Sequence, residues 1–305
     1  MESTLSVFFG TDRTYVTLLE QGKKGAEITY INSIPSTVKD ENDYLDVLME
    51  LESFLPPIAA GAKQLRMCIP AENALIHQFP AVSRANIDQI KSLLQLEIKQ
   101  AYPLMTLDDF STVAYPIATS TGGREMMIAI MLNKKYLMAC EFVLGVTALP
   151  LERTVVSQFA AHASLLYNYP EQRENTAVIF AAQESFIDVS ILKKGRLAYY
   201  NLIPLQRNAN IGKVCSDEIE KILNGKIVSF VDGAFLLGPG LTKSGFESAV
   251  KALSIPVRRL NAFRMMTTSL SEREREYCIR TAHLYSPCIG TSLPDIHAGD
   301  EIRLD

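Results

Sequence analysis

Tryptophan is absent from this chain of 305 residues, and histidine and cysteine occur only 4 and 5 times. The cysteines are dispersed, with no Cys-x-x-Cys pair: they are Cys68, Cys140, Cys215, Cys278 and Cys288. No histidines are paired at the spacing of metal ligands. These absences argue against a zinc site and a disulfide framework, and they favour reduced, buried thiols in a reducing compartment.

Excess positive charge is also missing. The 30 lysines and arginines are outnumbered by 34 aspartates and glutamates, which leaves a net charge of −4 and argues against nucleic-acid binding. No apolar run reaches the roughly 18 residues that span a bilayer. The opening Met-Glu-Ser-Thr also lacks the features of a signal peptide. We therefore expect a cytoplasmic chain that reaches a membrane only through a partner, or through residues beyond Asp305.

Catalytic signatures are lacking as well. The sequence contains no G-x-S-x-G, H-E-x-x-H, Walker or Rossmann motif. It therefore offers no catalytic residue and no metal ligand to name.

What the chain does contain is a repeated order of elements. Three β-rich runs between residues 5 and 34 precede a helix over about 43–55 and a strand over 64–69. Strands at 176–180, 186–192 and 197–205, a helix at about 216–223 and a strand at 234–237 repeat this βββαβ order. Such a repeat indicates an internally duplicated fold.

A further unit separates the two copies. A strand at 74–79, a long helix to about residue 101 with Ser83 as its N-cap, two strands at 110–118 and 125–132 and a helix at 134–146 give the order βαββα. The helix carries an apolar stripe made of Ile87, Ile90, Leu94 and Ile98. The glycine-rich residues 119–123 are interpreted as a hairpin loop.

Several short strings stand out: Leu96-Glu97, Tyr102-Pro103-Leu104, Asp108-Asp109-Phe110, the glycine-rich 236–241 and the small-residue 286–293. They resemble PilM, the actin-like type IV pilus assembly family related to FtsA, and its type II secretion relative, the GspL cytoplasmic domain. The resemblance implies an α/β, two-lobed, actin-like (ribonuclease H-like) ATPase fold. Residues 1–70 with 148–170 would form the first lobe, 71–147 an inserted 1C-type subdomain, and 171–305 the second lobe. Subdomain 2B would be lost or reduced, since only 206–215 could hold it.

The same resemblance locates nucleotide loops that look vestigial. Gly10, Asp12 and Thr14 stand where the family's first phosphate loop would be, and Gly238 and Gly240 stand in its adenosine loop. In the second phosphate loop, Phe180 replaces an Asp and Ala182 replaces a Gly. Glu184 or Asp188 could replace that carboxylate, although neither is at the family position. Alternatively, Asp12 is only a turn former and the two glycines only shape a strand-to-helix turn.

The resemblance implies a non-catalytic scaffold in a type IV pilus or type II secretion platform, peripheral to the inner membrane and without ATP or magnesium. Its partner would be a cytoplasmic segment of a PilN-like or GspL-associated membrane protein, bound in a groove near the first lobe (1A) and 1C, and a GspL-like chain would contact a secretion ATPase. The last residues, 301–305, resemble the segment preceding a PilN-like anchor. The alternative is a working actin-like ATPase that cycles with nucleotide. A small-molecule kinase would need an acidic base and intact phosphate loops.

Overall fold

The computed structural model describes residues 2–23, 25–81, 86–117, 126–207, 209–294 and 301–304. The predicted N-cap Ser83 and the predicted hairpin loop 119–123 lie outside them. Within these ranges the strands form three sheets of six, five and four strands, joined by helices. This architecture agrees with the predicted mixed α/β class.

The opening of the chain builds most of the six-stranded sheet. Its elements are β1 (Glu2–Phe9), β2 (Thr14–Gly22), β3 (Gly25–Ile34), α1 (Leu45–Glu52), α2 (Leu55–Ala59) and β4 (Gln64–Ile69). β1 pairs antiparallel with β2 and parallel with β4. Pro56 and Pro57 lie in the first turn of α2, where a missing N–H breaks no helical bond.

The inserted unit has the predicted βαββα order. It consists of β5 (Ala74–Pro80), α3 (Ile87–Ala101), β6 (Phe110–Ile117), β7 (Met126–Asn133) and α4 (Lys134–Leu144). Ile90, Leu94 and Ile98 of α3 are fully buried, whereas Ile87, in the first turn, is 41% exposed. The N-cap of α3 is Asn86, whose side chain accepts a hydrogen bond from the Gln89 N–H.

The chain then returns to the six-stranded sheet and builds the five-stranded one. β8 (Leu151–Val156) pairs with β4 and is followed by α5 (Ser157–Asn168). The second copy comprises β9 (Thr176–Ala182), β10 (Phe186–Lys193), β11 (Arg196–Pro204), α6 (Ile211–Asn224), β12 (Gly233–Leu237), α7 (Lys243–Ala252) and β13 (Val257–Arg259). The strand β8 itself was not predicted, although the return to the first lobe was.

The two larger sheets share one topology. The order β3-β2-β1-β4-β8 in one sheet matches β11-β10-β9-β12-β13 in the other. In both, the first three strands are antiparallel and the last two join in parallel. This shared order confirms the duplication that the sequence predicts.

Little room remains for a fourth subdomain. α6 begins at Ile211, several residues earlier than predicted, because the Asn210 side chain caps it by accepting from the Lys213 N–H. Residues 205–210 are therefore all that joins β11 to α6. A connection this short holds a turn and no subdomain, which agrees with the loss of 2B.

The end of the chain packs against earlier elements. β14 (Thr267–Thr268), α8 (Glu272–Thr281), α9 (Ser286–Ser292) and β15 (Ile302–Arg303) follow in order. β14 pairs with β3, the fully buried α9 packs against α5 and β1, and β15 pairs with β6. The strand pairings do not by themselves set domain limits, so the boundaries at residues 70, 148 and 170 stay a prediction.

One apolar core connects the three sheets. It includes Phe9 of β1, Ile130 of β7, and Ile179 and Phe235 of the five-stranded sheet. The Phe235 ring meets the ring of Tyr169 with centroids 4.9 Å apart. The sheets are therefore held against one another by buried apolar side chains. Among the described residues no helix is both long and apolar enough to span a bilayer.

Candidate functional site: the cleft between the sheets and a neighbouring groove

The turn between β1 and β2, predicted as the remnant of a phosphate loop, is tight. The Gly10 N–H donates to the Arg13 carbonyl over 2.9 Å, which leaves Thr11 and Asp12 as the turn residues. A phosphate cradle needs several consecutive backbone N–H groups pointing into one concavity. A turn of this length offers few of them.

The turn between β9 and β10 is equally tight. The Gln183 N–H donates to the Phe186 carbonyl over 2.9 Å, so Glu184 and Ser185 form the turn, and both are exposed. Phe180, at the family's aspartate position, is fully buried in the apolar core of the five-stranded sheet. Both hairpins therefore end without the longer loops that hold phosphates in the resembled family.

The glycine-rich turn after β12 packs directly on the second hairpin. The Gly240 N–H donates to the Ala182 carbonyl over 2.9 Å. A β-carbon on Gly238, which has a φ of +98°, would lie 2.3 Å from the Ala182 oxygen, and one on Gly240 would lie 2.2 Å from the Gln183 oxygen. Real β-carbons do not come this close to a carbonyl, so packing between two protein segments explains both glycines.

The two hairpins also contact each other. The Thr11 hydroxyl donates to the Gln183 side-chain oxygen over 3.1 Å. The space left between the hairpins and the glycine-rich turn has a volume of about 10 Å³. That volume accepts one water molecule at most, whereas drug-sized ligands occupy cavities of roughly 300 Å³ or more.

The predicted site residues divide between the cleft and its surroundings. Gly10, Asp12 and Gly238 line the cleft. Thr14 is fully buried and its hydroxyl donates to the Ser36 carbonyl over 2.8 Å, while Gly240 packs against the second hairpin behind the lining. Sequence reasoning missed Tyr15, whose ring also lines the cleft.

Asp12 is the one charged side chain among the described residues that line the cleft. Asp12 accepts a hydrogen bond from the Tyr15 hydroxyl at 3.4 Å, and burial together with the Asp12 charge raises the pKa of Tyr15. The carbonyl of His283 accepts from the Gly238 N–H. Burial and the nearby Arg259 lower the pKa of His283 to about 4, so its ring is neutral at pH 7.

Neither of the alternative carboxylates reaches the cleft lining. Asp188 is fully buried and accepts from the Tyr200 hydroxyl at 2.6 Å, and Glu184 is exposed at its turn. Across the described ranges, no group of three or more His, Cys, Asp or Glu side chains is placed to hold a metal ion.

A larger open groove lies elsewhere, between β8 and the four-stranded sheet. Its volume is about 470 Å³. Its apolar walls come from β6, β7, α4, β8 and α5; they include Val113, Tyr115, Ile130, Leu137, Val155 and Phe159. Its rim is charged, with Glu141, Glu152, Arg153, Glu301 and Arg303.

Two sheet edges border this groove. β8 is the end strand of the six-stranded sheet, and in the part of the chain that the structure describes it pairs only with β4. On the opposite wall, the outer edge of β6 pairs with β15. An end strand such as β8 beside an apolar groove is suited to binding an extended peptide, because such a peptide adds a strand to the sheet.

No protein-family model matches the sequence, and no curated protein sequence matches it significantly. The fold is similar to the PilM-PilN type IV pilus biogenesis complex, with a TM-score of 0.72 and 10% identity over 95% of this chain and 97% of that one. A Bacteroides thetaiotaomicron protein of actin-like ATPase fold and unknown function has a TM-score of 0.53 and 10% identity, over 96% of both chains. The cytoplasmic domain of EpsL, from the Vibrio cholerae type II secretion system, has a TM-score of 0.49 and 11% identity, over 87% of this chain and 92% of that one. At these identities the first two similarities establish the actin-like fold and nothing finer.

Proposed function

We propose that this protein is a non-catalytic, actin-like assembly protein that binds an extended cytoplasmic segment of a membrane protein. The observation that carries this proposal is the contrast between the two concavities. The nucleotide cleft is reduced to about 10 Å³ by direct contacts between its loops, whereas the groove beside β8 keeps about 470 Å³.

The absence of nucleotide turnover is supported by what fills the cleft. The Gly240 N–H donates to the Ala182 carbonyl, and the Thr11 hydroxyl donates to the Gln183 side-chain oxygen. Both donors are therefore already bonded within the protein. A nucleotide could enter only if these contacts broke and the apolar core between the sheets opened. Such opening would expose buried apolar surface to water, which is unfavourable.

The choice of partner is supported by the similarity to a PilM-PilN complex. By that analogy the partner is a PilN-like protein of a type IV pilus platform, and a type II secretion platform is the related possibility. A cytoplasmic location at the inner membrane, reached through this partner, is part of the proposal.

The groove supplies the chemistry that such a segment needs. Its walls offer apolar side chains for alternate residues of a strand, and β8, as the end strand of its sheet, offers backbone groups for pairing. The rim carries charges of both signs, so the rim selects a segment by its charge pattern and the walls select it by its apolar residues.

The test is a fluorescence-anisotropy titration of the protein with a peptide from the cytoplasmic N-terminal segment of the PilN-like protein encoded in the same genome. Leu137→Asp places a charge in the wall of the groove and should weaken binding by about tenfold or more. Met138→Asp is the matched control, because Met138 is the next residue of α4 and is 66% exposed outside the groove. Equal affinities for the two variants would contradict the site, and absence of binding by the wild type would contradict the function.

A further inference from the structure

Two helices that contact each other, α1 and α4, expose large apolar side chains on their outer faces. Leu45 and Met49 of α1 are 61% and 63% exposed, and Met138 and Phe142 of α4 are 66% and 61% exposed. The members of each pair are four residues apart, so they lie one turn apart on the same face of their helix. Single exposed apolar residues are common on protein surfaces, but two such pairs on neighbouring helices form a patch.

An aromatic contact joins the two pairs. The Tyr44 ring, directly before Leu45, meets the Phe142 ring edge to face with centroids 5.5 Å apart. The inner face of each helix is packed into the core that connects the sheets, through Val47 in α1 and Val143 in α4. The outer side chains are therefore additional to those that hold the helices in place. They are called the helix patch and consist of Leu45, Met49, Met138 and Phe142.

The charge beside the helix patch is mostly negative. Asp46 and Glu50 directly follow its two members in α1. On α4, which contains two lysines and one glutamate, the first lysine, Lys134, donates to the Asp108 carbonyl over 2.9 Å. Residues 40–52 contain no Lys or Arg and six acidic side chains, which are Asp40, Glu41, Asp43, Asp46, Glu50 and Glu52. These six residues are called the acidic margin.

The acidic margin and the helical backbone select among possible occupants. A second copy of this chain, meeting the same patch across a two-fold axis, would bring an identical acidic margin against the first. A membrane surface of anionic lipids would be repelled in the same way. An extended strand would find no pairing edge, because the backbone N–H and C=O groups of a helix are bonded within it. A cationic helix meets neither obstacle.

We propose that the helix patch binds an amphipathic α-helix of a partner protein, whose apolar stripe is bordered by Lys and Arg. The stripe packs against α1 and α4 as a third helix packs on two, and the basic residues face the acidic margin. This surface is separate from the groove beside β8. On α4, Leu137 lines the groove, whereas the next residue, Met138, belongs to the helix patch.

The first test uses a fluorescent helical peptide of Leu and Lys, about 14 residues long, with Leu along one face. An otherwise identical peptide with Glu in place of Lys controls for charge. In fluorescence-anisotropy titrations of the full chain, the basic peptide should bind at least about tenfold more tightly than the acidic one. Equal affinity for the two peptides would contradict a cationic partner.

Substitutions in the patch locate the binding site. Met49→Gln combined with Phe142→Gln removes one apolar side chain from each helix and should weaken binding of the basic peptide by about tenfold or more. Leu45→Gln combined with Met138→Gln is a second, independent pair, so the test stays decisive if the first does not fold. Ile279→Gln, at a side chain of α8 that is 78% exposed, is the matched control and should bind as the wild type does. If both pairs bind as this control does, the proposal is wrong.

Neutral variants of the acidic margin test the charge argument. Asp46→Asn combined with Glu50→Gln should weaken binding of the basic peptide by about threefold or more at low salt, and by less at high salt. Glu272→Gln combined with Glu276→Gln changes the net charge equally at exposed positions of α8. Equal weakening by the two pairs would show that only net charge matters and would overturn the assigned site.

The other occupants give distinct results. Sedimentation equilibrium should give the same mass for the wild type and for Met49→Gln combined with Phe142→Gln, and neither should bind phosphatidylglycerol vesicles. A dimer or vesicle binding that only the wild type shows would overturn the proposal. Leu137→Asp should bind the basic peptide as the wild type does, and the patch variants should retain the PilN-like peptide. The failure of one proposal is therefore distinguishable from the failure of the other.

Discussion

At the scale of single residues, the wall of the nucleotide cleft depends on two glycines. Gly238 and Gly240 lie where a β-carbon would meet the Ala182 and Gln183 carbonyl oxygens at 2.3 and 2.2 Å. A glycine-rich turn after a strand is compatible both with nucleotide contact and with tight packing, and the sequence alone left both open. The contacts favour packing, because the partner of each glycine is the main chain of the neighbouring hairpin.

Replacing Gly240 with alanine should therefore lower the free energy of unfolding by about 1–3 kcal/mol, the typical effect of overpacking a tightly packed site. The matched control is Gly145→Ala, where a β-carbon meets nothing within 4 Å. Gly145→Ala should leave stability unchanged or raise it slightly. Chemical denaturation measures both, and equal stability of the two variants would contradict the packing role.

A second residue-scale prediction concerns Asp188. One carboxylate oxygen accepts from Tyr200, and the other is buried with no hydrogen-bond partner among the described residues. Burial raises the pKa of Asp188 to about 7, although the bond from Tyr200 lowers it. The folded protein therefore retains a proton that the unfolded chain releases above about pH 4, and stability falls as the pH rises from about 4 to 7.

Asp188→Asn keeps an acceptor for Tyr200 and removes this titration. Relative to the wild type, its free energy of unfolding should increase between pH 4 and pH 8 by an amount on the order of 4 kcal/mol at most. Urea denaturation at a series of pH values measures the difference. Parallel stability curves for the two proteins would show that Asp188 does not titrate in this range.

At the scale of elements, the connection between β11 and α6 is too short to hold a subdomain. Asn210 ends this connection: its side-chain oxygen accepts from the Lys213 N–H at 3.1 Å and from the Ser248 hydroxyl at 2.8 Å. The first bond starts α6, and the second ties α6 to α7. The helix therefore begins almost directly after the strand.

Asn210→Ala should lower the free energy of unfolding by about 1 kcal/mol, the usual effect of removing an N-cap. Asn210→Asp keeps the capping oxygen and should retain most of the stability. Thermal or chemical unfolding of the two variants provides the comparison. If the alanine and aspartate variants were equally destabilised, the cap would not be what sets the start of α6.

Most helices and strands can be predicted from the sequence, whereas some of their limits and pairings cannot. Strand alternation and helical stripes predict most strands and helices, including Gln64–Ile69 to the residue. The amphipathic pattern predicts a start of α6 near residue 216, which is too late, because this pattern carries no information on the N-cap at Asn210. β8 was missed, because its burial depends on β4 and on the groove. The pairing of β15 with β6 joins distant parts of the chain, and no local pattern encodes it.

At the scale of the whole molecule, two copies of one βββαβ unit share an apolar core. The sequence predicts this duplication, and its resemblance to the PilM family implies that Phe180 and Ala182 replace an Asp and a Gly. It does not predict that the hairpins and the glycine-rich turn would contact one another, because those contacts depend on how the two sheets pack. The packing leaves about 10 Å³ in the cleft and about 470 Å³ in the groove beside β8, and this contrast is what supports the proposed function.

Calorimetric titration of the purified protein with ATP and magnesium tests this account most directly. The account predicts no binding heat at millimolar nucleotide and no rise in unfolding temperature, because a ligand stabilises a protein only when it binds the folded state. Saturable binding at one site per chain with a Kd in the low micromolar range, together with thermal stabilisation, would contradict it.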